Sequence, residues 1–190
     1  DHRDLHSFPT RRSSDLASTI EYNLNRGISV NTSSGGLSQV SVTDSLIQSN
    51  GNSGFETTNV AGFTFSDNQI NNNAGYAVYL NLAGNAAPVL TRLTASGNAK
   101  NGVALVGPFA MDSSLSFLPD LPYLMPSSWI INTGVTLTIP PGQVVKAENT
   151  SSYILPNGVL IAQGTDIARV SFTSMKDDSL AGDSNNNGSN

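Results

Sequence analysis

Apolar residues recur at a fixed distance before an asparagine throughout the first half of the chain. An apolar residue stands three places before Asn in four segments, which are Ile20–Asn23, Ile47–Asn50, Ile70–Asn73 and Ala95–Asn98. The steps between successive segments are 27, 23 and 25 residues. A pattern that returns at such a period predicts a repeat architecture, in which each unit buries its apolar face against the next.

Short runs of alternating apolar and polar residues lie between these segments. A glycine two or four places after each Asn opens such a run, and the four runs are residues 28–30, 55–57, 76–78 and 103–105. Two more runs, 40–42 and 63–65, precede the asparagine segments. Alternation over so few residues predicts β-strands rather than helices. We expect Asn and Gly at the corners because both residues tolerate the left-handed backbone conformation.

A period near 25 residues with two or three short strands fits one coil of a parallel β-helix. A propeller blade needs roughly 40–45 residues, and a leucine-rich repeat needs Leu at fixed steps. A β-sandwich would not require the same Asn and Gly at every turn. In stacked coils, equivalent Asn side chains would lie about 4.8 Å apart and form a hydrogen-bonded ladder. Four side chains share one phase relative to the recurring Asn, and we predict that they point inward: Ile47, Ile70, Val42 and Phe65.

The segment 68–78, NQINNNAGYAV, resembles the repeat of pectin-lyase-like right-handed β-helix proteins. The resemblance extends over roughly residues 20–105. It implies an all-β, right-handed parallel β-helix (a solenoid) with about 25 residues per coil. It implies little about activity, because one fold hosts many functions.

The chain divides into four expected segments. Residues 1–16, DHRDLHSFPTRRSSDL, match at every position the in-frame translation of a common sequencing adapter, so we expect them to be non-native. Residues 17–106 contain the predicted coils. Residues 107–127 contain four prolines and many apolar residues, which predicts a linker or a capping excursion.

Residues 128–190 are predicted to begin a further β-helix block. Three segments resemble the opening coils of such blocks in large bacterial surface proteins. Their sequences are GVTLTIPPGQVVKA, GVLIAQGT and VSFTSMKDDS. We therefore expect both ends to be truncated and the chain to be a fragment of a larger protein.

The amino-acid composition limits the kinds of catalytic site, metal site and partner that we expect. The chain has no Cys, 9 Lys+Arg and 14 Asp+Glu, and both histidines lie within residues 1–16. Without His or Cys, residues 17–190 cannot form a Ser-His-Asp triad, a thiol nucleophile, a His/Cys zinc site or a disulfide. The few, scattered basic residues argue against nucleic acid as a partner. No apolar run is long enough to predict a membrane span.

Three residues are the candidates for catalysis. Asp44 and Asp67 lie 23 residues apart, each two places after an alternating run. Stacked coils would bring them to about 5 Å, the separation of a retaining glycosidase pair; alternatively, both cap turns. In polysaccharide lyases of the fold that the chain resembles, a basic residue abstracts the proton beside calcium-binding acids. Arg92 aligns with the two Asp and Lys100 lies in the next turn, but no dense acidic cluster accompanies them.

Tyr79 is a candidate for ligand contact. It alternates out of phase with Tyr76, Val78 and Leu80, which predicts that it points outward. There it serves either as a stacking platform for a sugar ring or as ordinary surface.

A calcium loop is the one cofactor site that the sequence suggests. Residues 183–188, DSNNNG, fit the start of a calcium loop, with Asp183, Asn185 and Asn187 as ligands. Only one of these ligands is a carboxylate, which predicts weak affinity. The alternative is a flexible Asn/Ser/Gly tail.

Together these features favour a secreted or cell-surface bacterial module with a structural or binding role, in adhesion or polysaccharide binding. The expected partners are polysaccharides or other surface proteins. The alternative is part of a polysaccharide lyase or glycoside hydrolase of the β-helix fold. The absence of His after residue 16 and the few basic residues favour the non-catalytic role.

Overall fold

The computed structural model describes residues 18–31, 40–59 and 63–188, and these form nineteen β-strands and no helix. The largest sheet has seven strands, which are β2 (Ile28–Asn31), β5 (Phe55–Thr58), β8 (Tyr76–Asn81), β11 (Lys100–Val106), β13 (Tyr123–Met125), β16 (Val144–Ala147) and β19 (Ser171–Ser174). A four-stranded sheet contains β1 (Ser18–Glu21), β4 (Ser45–Gln48), β7 (Gln69–Asn71) and β10 (Thr94–Ser96).

Three smaller sheets complete the coils. The first contains β3 (Val40–Thr43), β6 (Phe63–Ser66) and β9 (Leu90–Thr91). The second contains β12 (Ser113–Ser114), β15 (Thr136–Ile139) and β18 (Val159–Ala162), and the third contains β14 (Trp129–Ile131) and β17 (Ile154–Pro156). Since no described segment is helical, none is a helix long and apolar enough to cross a membrane.

The strands of each sheet are parallel and stack as successive coils. Ile20 pairs with Ile47, Ile47 with Ile70, and Ile70 with Ala95, which reproduces the spacing of the repeat in the sequence. The result is an all-β parallel solenoid of about six turns, about 25 residues apart. The predicted fold class is confirmed.

The hydrophobic core fills the inside of the coils. Ile47, Phe65 and Ile70 are fully buried, and Val42 is partly buried against the same core, so the predicted inward phase is confirmed. The rings of Phe55 and Phe65 stack with centroids 4.3 Å apart. Inward positions of the seven-stranded sheet continue this column, with Val78, Val103, Tyr123 and Val145 aligned strand by strand.

The recurring asparagines form a ladder along one corner. Asn23 Nδ2 donates to Asn50 Oδ1, Asn50 Nδ2 to Asn73 Oδ1, and Asn73 Nδ2 to Asn98 Oδ1, each at 2.8 Å. Each Oδ1 also accepts the backbone N–H of the preceding Asn, at 2.9–3.1 Å. Asn101 Oδ1 accepts the last Nδ2 at 3.0 Å. The predicted ladder is confirmed, and it satisfies amides that burial would otherwise leave unpaired.

The recurring glycines serve a different purpose from the predicted one. Gly27, Gly54, Gly75 and Gly102 do not have positive φ angles. The left-handed residues are instead those just before the laddered Asn, such as Ser49 at φ 54° and Asn72 at φ 55°. At Gly54 a Cβ atom would lie 2.5 Å from Ile70 Cγ2. The glycine is therefore needed for space between coils rather than for backbone freedom.

The seven-stranded sheet passes through residues 107–127 without interruption. This segment contains β12 and β13, and β13 pairs with β11 on one side and β16 on the other. The sequence predicts a linker or a capping excursion here, and the division of the chain into segments stays a prediction. The prolines lie outside the two strands, where they interrupt no ladder, and the Pro122 carbonyl accepts the backbone N–H of Val103 at 3.0 Å. Residues 1–16 lie outside the described residues.

Candidate functional site

The outward surface of the seven-stranded sheet carries the densest group of aromatic and charged side chains. One outward column runs strand by strand through Glu56, Tyr79, Ala104, Leu124 and Lys146. Ala104 and Leu124 are fully buried although they face away from the coil interior. We call the half-buried part of this surface the outer tyrosine face, defined by Arg26, Glu56, Tyr76, Tyr79, Lys100 and Glu148.

Two tyrosine rings form the centre of the outer tyrosine face. Tyr76 and Tyr79 lie with ring centroids 5.3 Å apart at an angle of 52°, and both pack against Ala104, Leu124 and Met175. Burial raises the pKa of both phenols above the usual range, so both are neutral donors at physiological pH. Tyr79 thus has the outward orientation that its phase predicts.

The orientation of Tyr76 corrects the sequence interpretation. Tyr76 shares the phase of Val78 in the sequence, which predicts an inward side chain. In the structure, Ala77 and Val78 both contribute to the core, so the alternation shifts by one residue and Tyr76 turns outward. The neighbouring strand β11 has a matching irregularity, a register shift between Lys100 and Val103. A bulge of this kind redirects a side chain without ending the strand.

Two ion pairs flank the tyrosines. Arg26 Nε lies 2.5 Å from Glu56 Oε2, and the Lys100 ammonium pairs with the Glu148 carboxylate. The Tyr76 hydroxyl donates to Glu148 at 2.6 Å, and Lys100 Nζ donates to that hydroxyl at 3.0 Å. Lys100 Nζ also lies 4.4 Å from the centroid of the Tyr76 ring, within the range of a cation–π contact. Tyr76, Lys100 and Glu148 therefore hold each other in fixed positions, and Arg26 and Glu56 form a separate pair.

Residues 175–188, which we call the return loop, fold back over the same sheet. Lys146 is fully buried beneath it and donates to the carbonyls of Asp177 and Gly182, both at 2.8 Å. Asn101 donates its backbone N–H to Ser184 O at 2.9 Å and its side chain to Asp183 O at 3.2 Å. Burial lowers the pKa of Lys146, partly offset by the neighbouring aspartates. The return loop therefore forms a fixed wall beside the outer tyrosine face.

The predicted calcium ligands all lie in the return loop. The Asp183 carboxylate accepts the backbone N–H of Gly188 at 2.9 Å and that of Asn187 at 3.3 Å, while Asn185 Oδ1 is buried without a hydrogen-bond partner. Among the described residues, no three His, Cys, Asp or Glu side chains are grouped as a metal would require. Two of the loop carbonyls, those of Asp177 and Gly182, already accept hydrogen bonds from the Lys146 ammonium. Calcium binding here stays a prediction.

The candidate catalytic residues Asp44, Asp67 and Arg92 occupy one corner in three successive coils. All three have left-handed backbones, with φ angles of 49°, 58° and 49°. The Arg92 guanidinium forms a two-pronged contact with Asp67, with Nε 2.5 Å from Oδ1 and a terminal nitrogen 2.7 Å from Oδ2. These hydrogen bonds lower the pKa of Asp67 below its usual range. The corner lies beside the sheet of β3, β6 and β9, apart from the outer tyrosine face.

We predict that Arg92→Gln raises the pKa of Asp67 towards its usual value. The lowered pKa means that Asp67 contributes to folding stability above the pKa of the unfolded chain, and that this contribution is lost as the pH falls through the folded pKa. The stability difference between the original chain and Arg92→Gln should therefore vanish in acid. NMR titration of the Asp67 carboxyl measures the shift, with Arg169→Gln as a control that removes an exposed Arg elsewhere. An unaltered titration in Arg92→Gln would contradict the ion pair.

Of the outer tyrosine face, sequence reasoning singled out Tyr79 and Lys100 but missed Arg26, Glu56 and Glu148. It also missed the supporting Lys146, and the phase of Tyr76 predicted an inward side chain. Glu148 lies 48 residues from its partner Lys100, which is two coils away. The only available signal was the coil period itself, which places residues about 25 apart as neighbours.

Comparison with known proteins gives one match. A family model described as "Right handed beta helix region" matches residues 16–115, slightly more than half of the chain. No curated protein and no solved structure matches the chain.

Proposed function

Because the chain belongs to the right-handed β-helix family, we propose that it is a binding module that holds a polysaccharide on its outer tyrosine face. The observation that carries this proposal is the pair of tyrosines Tyr76 and Tyr79 on the outward surface of the seven-stranded sheet. An aromatic ring offers an apolar face to the C–H groups of a sugar, and its hydroxyl offers a hydrogen bond. Surfaces of this kind combine aromatic area with a few fixed polar groups.

The surroundings of the tyrosines support the same proposal. Glu56 and Glu148 are held in place by their cationic partners, and their remaining lone pairs can accept hydrogen bonds from sugar hydroxyls. The return loop bounds the surface on one side, and the parallel strands extend it over successive coils. A repeated, elongated surface suits a polymer better than a small molecule.

We propose that the module acts at the surface of a bacterium or after secretion, as part of a larger protein. The support is the resemblance of residues 128–190 to coils of large bacterial surface proteins. A role in adhesion follows if the polysaccharide belongs to another cell or to a matrix. A surface protein is the alternative partner for the same face.

The enzymatic alternative has less support. A glycoside hydrolase needs one carboxylic acid that stays protonated until it donates to the leaving oxygen, which requires a raised pKa. Asp67 has a lowered pKa because Arg92 donates two hydrogen bonds to it. A lyase needs a basic group that is available to abstract a proton, and Arg92 is already engaged with Asp67. The geometry of this corner fits a structural ion pair better than it fits the active site of a hydrolase or a lyase.

Tyr79→Ala should weaken polysaccharide binding by about tenfold, because one buried aromatic contact accounts for about 1.4 kcal/mol of affinity. Electrophoresis through native gels that contain single soluble polysaccharides measures the retardation, and calorimetry then gives the affinity. Tyr153→Ala is the matched control, since Tyr153 is 55% exposed and precedes β17 in a different sheet. Equal retardation of Tyr79→Ala and the original chain would refute the site, provided that the melting temperatures agree.

A further inference from the structure

The cationic groups of the outer tyrosine face are already neutralised within the chain. Arg26 is paired with Glu56 and Lys100 with Glu148, and the carboxylates are the less exposed partners, at 17% and 19% against 35% and 31%. Lys146, the cation beneath the return loop, is fully buried and donates to two backbone carbonyls. No unpaired cation is thus presented by the residues that define this surface.

Acidic side chains slightly outnumber the cations on and beside the outer tyrosine face. The acidic side chains Glu56 and Glu148 both raise the pKa of Tyr79, after the larger contribution of burial. The return loop adds three acids, Asp177, Asp178 and Asp183, which act on Lys146, and one exposed cation, Lys176. The whole chain has a net charge of −5. An approaching carboxylate would meet these acids, while the cations of the face itself are already paired with Glu56 and Glu148.

We propose that the ligand of the outer tyrosine face is an uncharged polysaccharide and that the face rejects polyuronates. This inference rests on the proposed polysaccharide binding and adds the chemical class of the ligand. Hydroxyl groups of a neutral sugar donate to Glu56 and Glu148, while its C–H face lies on Tyr79. A uronate would place its own carboxylate beside one of these acids, and close approach of like charges is strongly unfavourable.

The test compares polymers that share a backbone and differ in charge. The probes are hydroxyethyl cellulose against carboxymethyl cellulose, and carboxyl-reduced polygalacturonate against polygalacturonate itself, each cast in native gels at low salt. We expect at least one neutral probe to retard the chain, with an affinity about tenfold or more above that for its charged counterpart. A charged polymer that binds as well as its neutral counterpart would overturn the inference and leave the proposed function standing. No binding to any polymer would overturn both.

A charge variant tests the reason for the selectivity. Glu148→Gln frees the Lys100 ammonium and removes one negative charge, so we expect it to bind the charged polymers several-fold more strongly than the original chain does. Glu21→Gln, on β1 of another sheet, removes the same charge elsewhere and should leave the selectivity unchanged. Equal selectivity in both variants would overturn the inference.

Salt dependence gives a second measure that needs no variant. If the face repels uronates, added salt should strengthen any weak binding of the charged polymers, because it screens the repulsion. Binding of a polyuronate that weakens with salt would show an attractive field and would overturn the inference.

Discussion

Ile70→Asp is expected to destabilise the folded chain by about 5 kcal/mol, comparable with the whole stability of an ordinary domain. Ile70 is fully buried between Ile47 and Ala95 of the adjacent coils. The adjacent coils are in close contact here, since a Cβ atom at Gly54 would lie 2.5 Å from Ile70 Cγ2. A carboxylate at this position would be buried without a partner, and its protonation would recover only part of the cost.

Circular dichroism during thermal and urea unfolding measures this loss. Gln69→Asp is the matched control, because Gln69 is the adjacent residue of β7 and its side chain is exposed. The control introduces the same charge one residue away and should melt within a few degrees of the original chain. If Ile70→Asp melted with the control, the inward assignment of this column would be wrong.

Asn73→Ala is expected to cost about 3 kcal/mol, the second largest effect, since it leaves several buried polar groups without partners. Asn73 Oδ1 accepts both the backbone N–H of Asn50, at 3.1 Å, and Asn50 Nδ2, at 2.8 Å. Its Nδ2 donates to the Ile47 carbonyl at 3.1 Å and to Asn98 Oδ1 at 2.8 Å. Alanine removes all four hydrogen bonds at a site that solvent does not reach.

Asn23→Ala is the control for the ladder. Asn23 is the exposed first rung and contacts only one further rung, Asn50, so its loss should cost about 1 kcal/mol or less. Urea unfolding of both variants gives the two free energies of unfolding. Similar values for the central and the terminal rung would contradict the argument that burial makes the ladder important.

The repeat was predictable because its interactions are the same in each coil. Ile47, Ile70 and their equivalents face the core at every turn, and Asn50 and Asn73 each bond to the next Asn. A contact that recurs at a fixed period can be recognised in a single sequence, because the residue types that form it recur at the same period. The corner formed by Asp44, Asp67 and Arg92 was aligned for the same reason.

The outer tyrosine face was only partly predictable because its contacts are not repeated. The pair Lys100 and Glu148 occurs once, and Tyr76 faces outward only because the strand alternation shifts at Ala77. The return loop likewise lies on the sheet through contacts that occur once, those of Lys146, Asn101 and Met175. Unique contacts between distant residues depend on the exact course of the backbone, which strand periodicity does not contain. Residues 107–127 show a similar limit, since prolines mark corners as readily as they mark linkers.

The asparagine ladder gives the stack of coils a direction, because its side-chain hydrogen bonds all run the same way along the row. Backbone groups fix the orientation of each buried side-chain amide: at Asn73 the oxygen faces the Asn50 N–H and the nitrogen reaches the Ile47 carbonyl. Asn23, Asn50 and Asn73 each donate one side-chain N–H to the Asn of the next coil, so these ladder hydrogen bonds all run in one direction. No single amide can reverse without breaking the bonds of its neighbours, so the row is polarised as one unit. Asn101 Nδ2, which donates to the carbonyl of Asp183, continues that polarity from the end of the row into the return loop.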